Sequence, residues 1–362
     1  MKFSISTKQL QDLVTKAIKC SSNNKLIPVT NFMEIRLAGS KLSLITTDRT
    51  NYLRVQQDVD STDSFNVVVT AESFAKLISR MTCDTITFEL DDKSLTVIGG
   101  KSKYKIELIL DADGTILKEI PKPKSEDLET IQPETISVAS INSIINTAKS
   151  ALSTDLTVPI LTAYYVGDSV MSTDQLKICC IADKLVDKPL LISAQTMDLL
   201  QLMPEEDETE IAYYRSDDGI AFRTKNCALI TKAFDGVETY PIDVMNKFVE
   251  SKFDNECSVR KDDILQALDR LSLFVGPYDK NVILLTFGNG SLVMQNKKSV
   301  GTEDIDCLSG GEGEFNCAID VELFKSQIRV NSTDNVTIQY GLDNCIKIVD
   351  GNAVQIVCLC KE

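Results

Sequence analysis

Ser43-Leu-Ile-Thr-Thr-Asp-Arg-Thr-Asn-Tyr-Leu-Arg-Val55 has an echo at Ser169-Val-Met-Ser-Thr-Asp-Gln-Leu-Lys-Ile-Cys-Cys-Ile181. Each stretch runs apolar into Ser/Thr-Thr-Asp, turns, and resumes as a second strand-like run, the pattern of a hairpin. The step between the two is 126 residues (169 − 43 = 126). A comparable step of 122 residues (291 − 169 = 122) reaches Ser291-Leu-Val-Met-Gln295. A period near one third of the chain implies three units of one architecture.

A second set of matches has the same spacing. Val67-Val-Val-Thr-Ala-Glu-Ser-Phe-Ala-Lys-Leu-Ile-Ser-Arg-Met81 resembles the stretches beginning at Leu190 and Phe315, with Thr70, Ser193 and Ala318 in register. Each unit reads as a short strand and an amphipathic helix, several strands, then a strand and helix followed by more strands. Leu10, Leu13, Val14, Ala17 and Ile18 mark the first helix, with Ser6 and Gln9 offering a capping box. Ile141, Ile144, Ile145 and Ala148 mark its counterpart in the second unit, and Ile264, Leu265, Leu268 and Leu271 that in the third. Hairpin turns are expected at Leu90–Leu95 and Phe287–Leu292. Pro121–Pro133, rich in Pro and charge, and Asp235–Pro241 read as connectors. The fold class expected is α+β, with domains at 1–122, 130–240 and 250–362, each of two helices packed on antiparallel sheets.

Composition narrows the chemistry. The 362 residues contain no histidine, which removes every scheme that uses imidazole as base or metal ligand. Eleven cysteines are scattered through apolar runs and read as buried free thiols, with Cys358 and Cys360 each a candidate for a reactive thiol. Gly99-Gly-Lys-Ser102 ends like a phosphate-binding loop, but Leu95 stands where that motif needs glycine. Asp111-Ala-Asp-Gly114 begins like a calcium loop, but Lys122 stands at its twelfth position. Neither enzyme activity, nor metal, nor cofactor is expected. No window reaches the 18 or so apolar residues of a membrane span, and a cytoplasmic location is expected.

The net charge of −15 argues against nucleic acid, yet the basic residues gather on the helices. Lys8, Lys16 and Lys19 lie opposite the apolar arc of the first helix, sharing that side with Asp12. The other helices contribute Lys76, Arg80, Lys149, Arg260, Lys261, Arg270, Lys325 and Arg329. Lysine on one exposed helix face is ordinary solvation, but recurrence over three units brings basic faces to one surface suited to phosphate without base readout.

Residues 1–19, MKFSISTKQLQDLVTKAIK, followed by Leu26-Ile-Pro-Val-Thr-Asn-Phe-Met-Glu-Ile-Arg-Leu-Ala-Gly-Ser-Lys-Leu-Ser-Leu-Ile-Thr-Thr-Asp48, resemble the start of the bacterial sliding clamp, the β subunit of DNA polymerase III. The resemblance extends over all three units and is strongest in the first. It implies a head-to-tail dimeric ring around duplex DNA that tethers a replicative polymerase, is opened by a clamp loader, and holds other proteins through a clamp-binding motif. The helix cations above other than Arg260, with Lys25, would face DNA. A partner-peptide pocket would take Thr157, Ile160, Thr173, Gln175, Leu176, Lys177, Ile178, Lys247, Phe248, Ile356, Val357, Cys358 and Leu359. The dimer interface would use Lys76, Arg80, Tyr104 and Ile106 on one edge and Lys297, Glu303 and Ile305 on the other. Where the family has Gly-His-Arg-Leu after the Thr-Asp, this chain has Gln175-Leu-Lys-Ile178, and it ends Cys358-Leu-Cys-Lys-Glu362, so a reshaped pocket is expected. The rival reading is a clamp-fold interaction scaffold that no longer encircles DNA.

Overall fold

Residues 2–18 fold as strand then helix because apolar side chains alternate through Phe3 and Ile5 and then recur at Leu10, Leu13, Val14 and Ala17, all buried. The computed structural model describes residues 2–123, 131–216, 219–274, 281–296 and 300–361. The first repeat comprises β1 (Lys2–Ser6), α1 (Thr7–Ile18), β2 (Phe32–Ala38), β3 (Lys41–Thr47), β4 (Asn51–Asp58), β5 (Ser64–Thr70), α2 (Ala71–Ser79), β6 (Thr85–Leu90), β7 (Ser94–Gly99) and β8 (Ser102–Glu107).

The second repeats that order in β9 (Glu134–Ser137), α3 (Val138–Thr147), β10 (Ala163–Val166), β11 (Val170–Thr173), β12 (Lys177–Ile181), β13 (Leu190–Ser193), α4 (Ala194–Leu202), β14 (Glu210–Arg215), β15 (Ile220–Arg223) and β16 (Cys227–Thr231). After α5 (Ile242–Val249), the third is β17 (Asn255–Arg260), α6 (Lys261–Ser272), β18 (Val282–Gly288), β19 (Ser291–Asn296), β20 (Thr302–Asp306), the short β21 (Ser309–Gly310), β22 (Phe315–Asp320), α7 (Val321–Arg329), β23 (Asn335–Leu342), β24 (Cys345–Asp350) and β25 (Ala353–Cys358).

Every repeat builds two antiparallel four-strand arrays. In the first repeat these are β1-β6-β7-β8 and β5-β2-β3-β4, and the other two repeats follow suit. In the third, Ile264, Leu268 and Leu271 of α6 and Val321, Phe324 and Ile328 of α7 share one core with side chains of both arrays. Phe287 stacks on Tyr340 within it, ring centroids 4.0 Å apart.

The arrays join across repeat boundaries. β4 pairs with β16 and β12 pairs with β25, giving an eight-stranded and a nine-stranded sheet. The chain accordingly divides into two compact units: Met1–Ile141 with Gln195–Ala233, and Asn142–Ala194 with Phe234–Glu362.

The echo marks a turn built twice from the same bonds. Thr47 Oγ1 donates to the Asn51 carbonyl at 2.7 Å and Thr173 Oγ1 to that of Lys177 at 2.6 Å. Asp48 accepts from the N–H groups of Thr50 and Asn51, and Asp174 from those of Leu176 and Lys177. Arg49 and Gln175 both take positive φ, at 83° and 76°. One residue earlier, Thr46 and Ser172 donate to Ala17 and Ala148 carbonyls, tying the strand to the first helical segment of each repeat. Asp and Thr recur there because a tight turn needs side chains that hydrogen-bond the backbone.

Some local readings change. Ser6 does precede α1, but its side chain makes no cap hydrogen bond, and Thr7 N–H bonds the Asp84 carbonyl instead. Asp235–Pro241 is no simple connector, since Tyr240 is buried and α5 follows at once. Residues 124–130 of the other connector lie outside the described residues. Gly99–Ser102 is the hairpin turn between β7 and β8, and Asp111–Gly114 is a turn closed by Gly114 N–H on the Asp111 carbonyl.

Candidate functional site

Strand alternation sorts the expected pocket residues of the second unit. Ile178 of β12 sits directly opposite Ile356 of β25. Their side chains enter an apolar cluster with Leu161, Met171, Tyr240 and Met245, against which Ile160 and Phe248 pack half-buried. Leu176 stands 51% exposed at the turn before β12, and Thr157, Gln175 and Lys247 are exposed. These residues form an apolar cluster with an exposed polar rim.

The neighbours in sequence point the other way. Lys177 is buried, donating to the Ser150 carbonyl at 2.7 Å and pairing with Asp174. Val357 belongs to the core beneath α6 and α7, and Leu359 packs on that same core. Thr173 is spent on the turn. The pleat that turns Ile178 and Ile356 into this cluster necessarily turns Lys177 and Val357 away from it. Cys358 is half-buried, its N–H on the Leu176 carbonyl, and burial with nearby Asp174 pushes its thiol up, away from the reactive thiolate. The cysteines of the described chain are free, and burial pushes Cys20 to about 12 and Cys227 and Cys345 to about 11.

The helix α5 is not among the expected elements. It supplies Ile242, Met245 and Phe248 to the cluster, and Tyr240 before it stacks on Tyr165 at 5.6 Å. The apolar spacing of Ile242, Met245 and Val249 was the available signal, hidden behind Pro241.

The helix cations are also sorted. Lys8, Lys19, Lys25, Arg80, Lys149 and Arg329 are exposed. Lys16 pairs with Glu205, Lys76 with Glu72, and Arg270 with Glu303 through two hydrogen bonds. Lys325 is buried against Asp269, and Lys261 donates to the Asn331 carbonyl. The outward helix faces are therefore less basic than a count of residues implies, and α4 adds no cation.

Among the described residues, two strands lack a neighbour that their counterparts have. β16 and β25 each gain a partner from another repeat, but β8, at the same place in the first repeat, ends its sheet. β4 and β12 likewise have partners, while β20 ends its sheet. β8 carries Lys103, Tyr104 and Lys105 exposed; β20 carries Thr302, Asp304 and Asp306 exposed around buried Ile305. Lys297 lies outside the described residues.

Such open edges on a thrice-repeated unit invite comparison with known folds. Residues 1–114 match the family model of the DNA polymerase III beta subunit, N-terminal domain. The DNA polymerase sliding clamp from Bacillus subtilis superposes with a TM-score of 0.86 at 18% identity, over 100% of this chain and 99% of that one. The beta subunit of Streptococcus pyogenes DNA polymerase gives 0.87 at 16% identity, and the DNA polymerase III subunit beta of Pseudomonas aeruginosa 0.83 at 15%, each covering both chains fully. The fold is that of a bacterial sliding clamp. Among curated proteins, none matches the chain by sequence. The clamp fold assigns the three repeats to its α+β domains, two helices on antiparallel sheets in each.

Among the described residues, no group of three or more Cys, Asp or Glu is placed to hold a metal, and no helix is long and apolar enough to cross a membrane.

Proposed function

We propose that this chain is a sliding clamp: a homodimer of head-to-tail copies, three domains each at 1–122, 130–240 and 250–362, that closes around duplex DNA in the cytoplasm and tethers a replicative polymerase. It performs no covalent chemistry. Once the ring is closed, weak sequence-independent contacts from Lys8, Lys19, Lys25, Arg80, Lys149 and Arg329 suffice, because topology rather than affinity prevents loss. A clamp loader must open the ring, and the groove at Ile160, Ile178, Phe248 and Ile356 takes the apolar anchors of partner peptides.

The observation that carries this reading is the pair of open edges. The joints β4–β16 and β12–β25 share one register, Tyr52 opposite Ile230 and Ile178 opposite Ile356. Transferring that register through the strand pairings puts Thr302 at the place of Arg54 and Cys180 and Lys103 at that of Ala228 and Val354, so that β20 of one copy lies on β8 of the next with Thr302 opposite Lys103, Glu303 opposite Ser102 and Asp304 opposite Lys101. Pairing these edges would satisfy ladder groups that otherwise invite aggregation. The charges are complementary, although within one copy Lys103 already reaches Glu89 at 3.4 Å and Lys105 reaches Asp91 at 3.6 Å.

Sedimentation tests this register. Lys101→Glu should shift the protein towards monomer by about tenfold in dissociation constant, as placing like charges opposite one another in a ladder is unfavourable. Adding Asp304→Lys should restore the dimer. Equal dimerisation of all three proteins would contradict the pairing.

A further inference from the structure

The first unit holds a cavity of 440 Å³ that the clamp reading leaves unused. It lies at the β4–β16 joint, on the face that corresponds to the partner groove of the second unit. Tyr52 takes the place of Ile178, Ile230 that of Ile356, and Ile45 that of Met171, as the strand registers and the echo establish. Its volume is in the range of ligand sites, about 300–1,000 Å³.

Its chemistry differs from that of the groove. Arg36, Arg54, Lys122 and Arg223 line it, with Glu119 as the one acid. Arg36 is held by buried Glu34 at 2.7 Å and reaches Glu119 at 3.5 Å. Glu34 also accepts the Ile120 N–H at 3.0 Å, fixing the segment that walls the cavity. Arg223 lies over the Tyr214 ring, 5.1 Å from its centroid, while Arg54 and Lys122 are exposed at the rim. In a chain of net charge −15, this is a local excess of cations around an apolar floor. The Tyr52 hydroxyl, pushed to about 12 by burial and by Glu34, stays neutral at physiological pH.

We infer that this cavity is a second peptide-docking site, selective for an extended segment in which carboxylates flank an apolar anchor. The anchor would rest on Tyr52, Ile45 and Ile230, and the carboxylates would meet Arg54, Arg223 and Lys122 as charge-assisted hydrogen bonds. A peptide as occupant rests on the proposed reading of the second unit's groove; its acidity rests on the four cations alone.

The test uses two labelled octapeptides and the full-length protein. One has a Leu-Phe pair between acidic residues, the other a Leu-Phe pair between Ser and Gln. Fluorescence anisotropy should show the acidic peptide binding the wild type, weakening as salt rises, and weakening at least tenfold in Arg54→Glu and in Ala228→Trp, which fills the cavity. Phe248→Ala should leave that affinity unchanged while weakening the neutral peptide. Loss of acidic-peptide binding in Phe248→Ala but not in Arg54→Glu would place the peptide in the other groove and overturn the proposal. No binding, or binding indifferent to every variant, would overturn it too. Failure of the neutral peptide alone would count against the reading of the second unit's groove and leave the cavity proposal standing on the acidic one.

Discussion

The β4–β16 and β12–β25 joints are one piece of architecture used twice. Both open from the same Thr-Asp turn and share one strand register, and both cover their outer face with the segment that follows the repeat. They differ in what the duplicated positions carry. Buried Glu34, clamped to Arg36 and Ile120, stands where the second unit has half-buried Tyr165, and Arg54 stands where the second has Cys180. The first joint is consequently basic and exposed at its rim, and the second is apolar and capped by α5. Duplication fixes where the joint forms; a few outward positions on β4 and β12 fix its chemistry.

The largest expected effect breaks this comparison on one side. Glu34→Ala removes a buried carboxylate from two donors and leaves the Ile120 N–H without its acceptor, which should cost about 2–3 kcal/mol after allowing for the partly exposed arginine. Tyr165→Phe, at the counterpart position, should cost under about 0.5 kcal/mol. Urea unfolding of both variants measures the contrast, and equal losses would mean that the two joints are held alike.

Next in size is a pair of changes that should agree. Asp48→Ala and Asp174→Ala each delete a carboxylate that accepts two backbone N–H groups in the same turn, at about 1–2 kcal/mol apiece. A difference above about 1 kcal/mol between them would deny the equivalence of the echo.

A smaller effect separates packed cations from exposed ones. Lys325→Met should lower stability by about 1 kcal/mol, since it frees Asp269 beside a buried site, and leave DNA affinity unchanged. Arg329→Gln should do the reverse, reducing the salt slope of DNA binding by about one while leaving the melting temperature in place. Filter binding across a salt series and differential scanning calorimetry read the two effects.

The smallest concerns pH. The folded state holds Tyr52 protonated to about 12, whereas in the unfolded chain the phenol ionises near its ordinary 10. Between those values the unfolded state alone loses the proton, so this contribution to stability is full below pH 10 and lost as pH rises towards 12. Tyr52→Phe should therefore make the alkaline fall in stability shallower, as denaturant midpoints from pH 9 to 11 would record. The second joint has Ile178 at that position, although burial also raises the phenols of Tyr240 and Tyr165 in its cluster.

The repeat was legible because turns and buried faces constrain residue type: Thr-Asp at each turn, apolar residues at helical spacing in α1 and α6. The surroundings of the expected pocket residues were legible only in part. Sequence matching named Ile178 and Lys177 together, yet adjacent residues of a strand face opposite ways, and only the structure says which joins the apolar cluster. The basic faces were overestimated for a related reason, because a carboxylate distant in sequence, such as Glu205 beside Lys16 or Glu303 beside Arg270, is invisible to a helical wheel. The cavity at Arg54 was missed because its cations come from four separated segments.

Encirclement of DNA is the central claim, and topology tests it most directly. The protein would be loaded onto nicked circular duplex with a cognate clamp loader, the circle linearised, and retention followed by gel filtration. The account predicts retention on circles and loss from linear ends. Equal retention on both forms would contradict it.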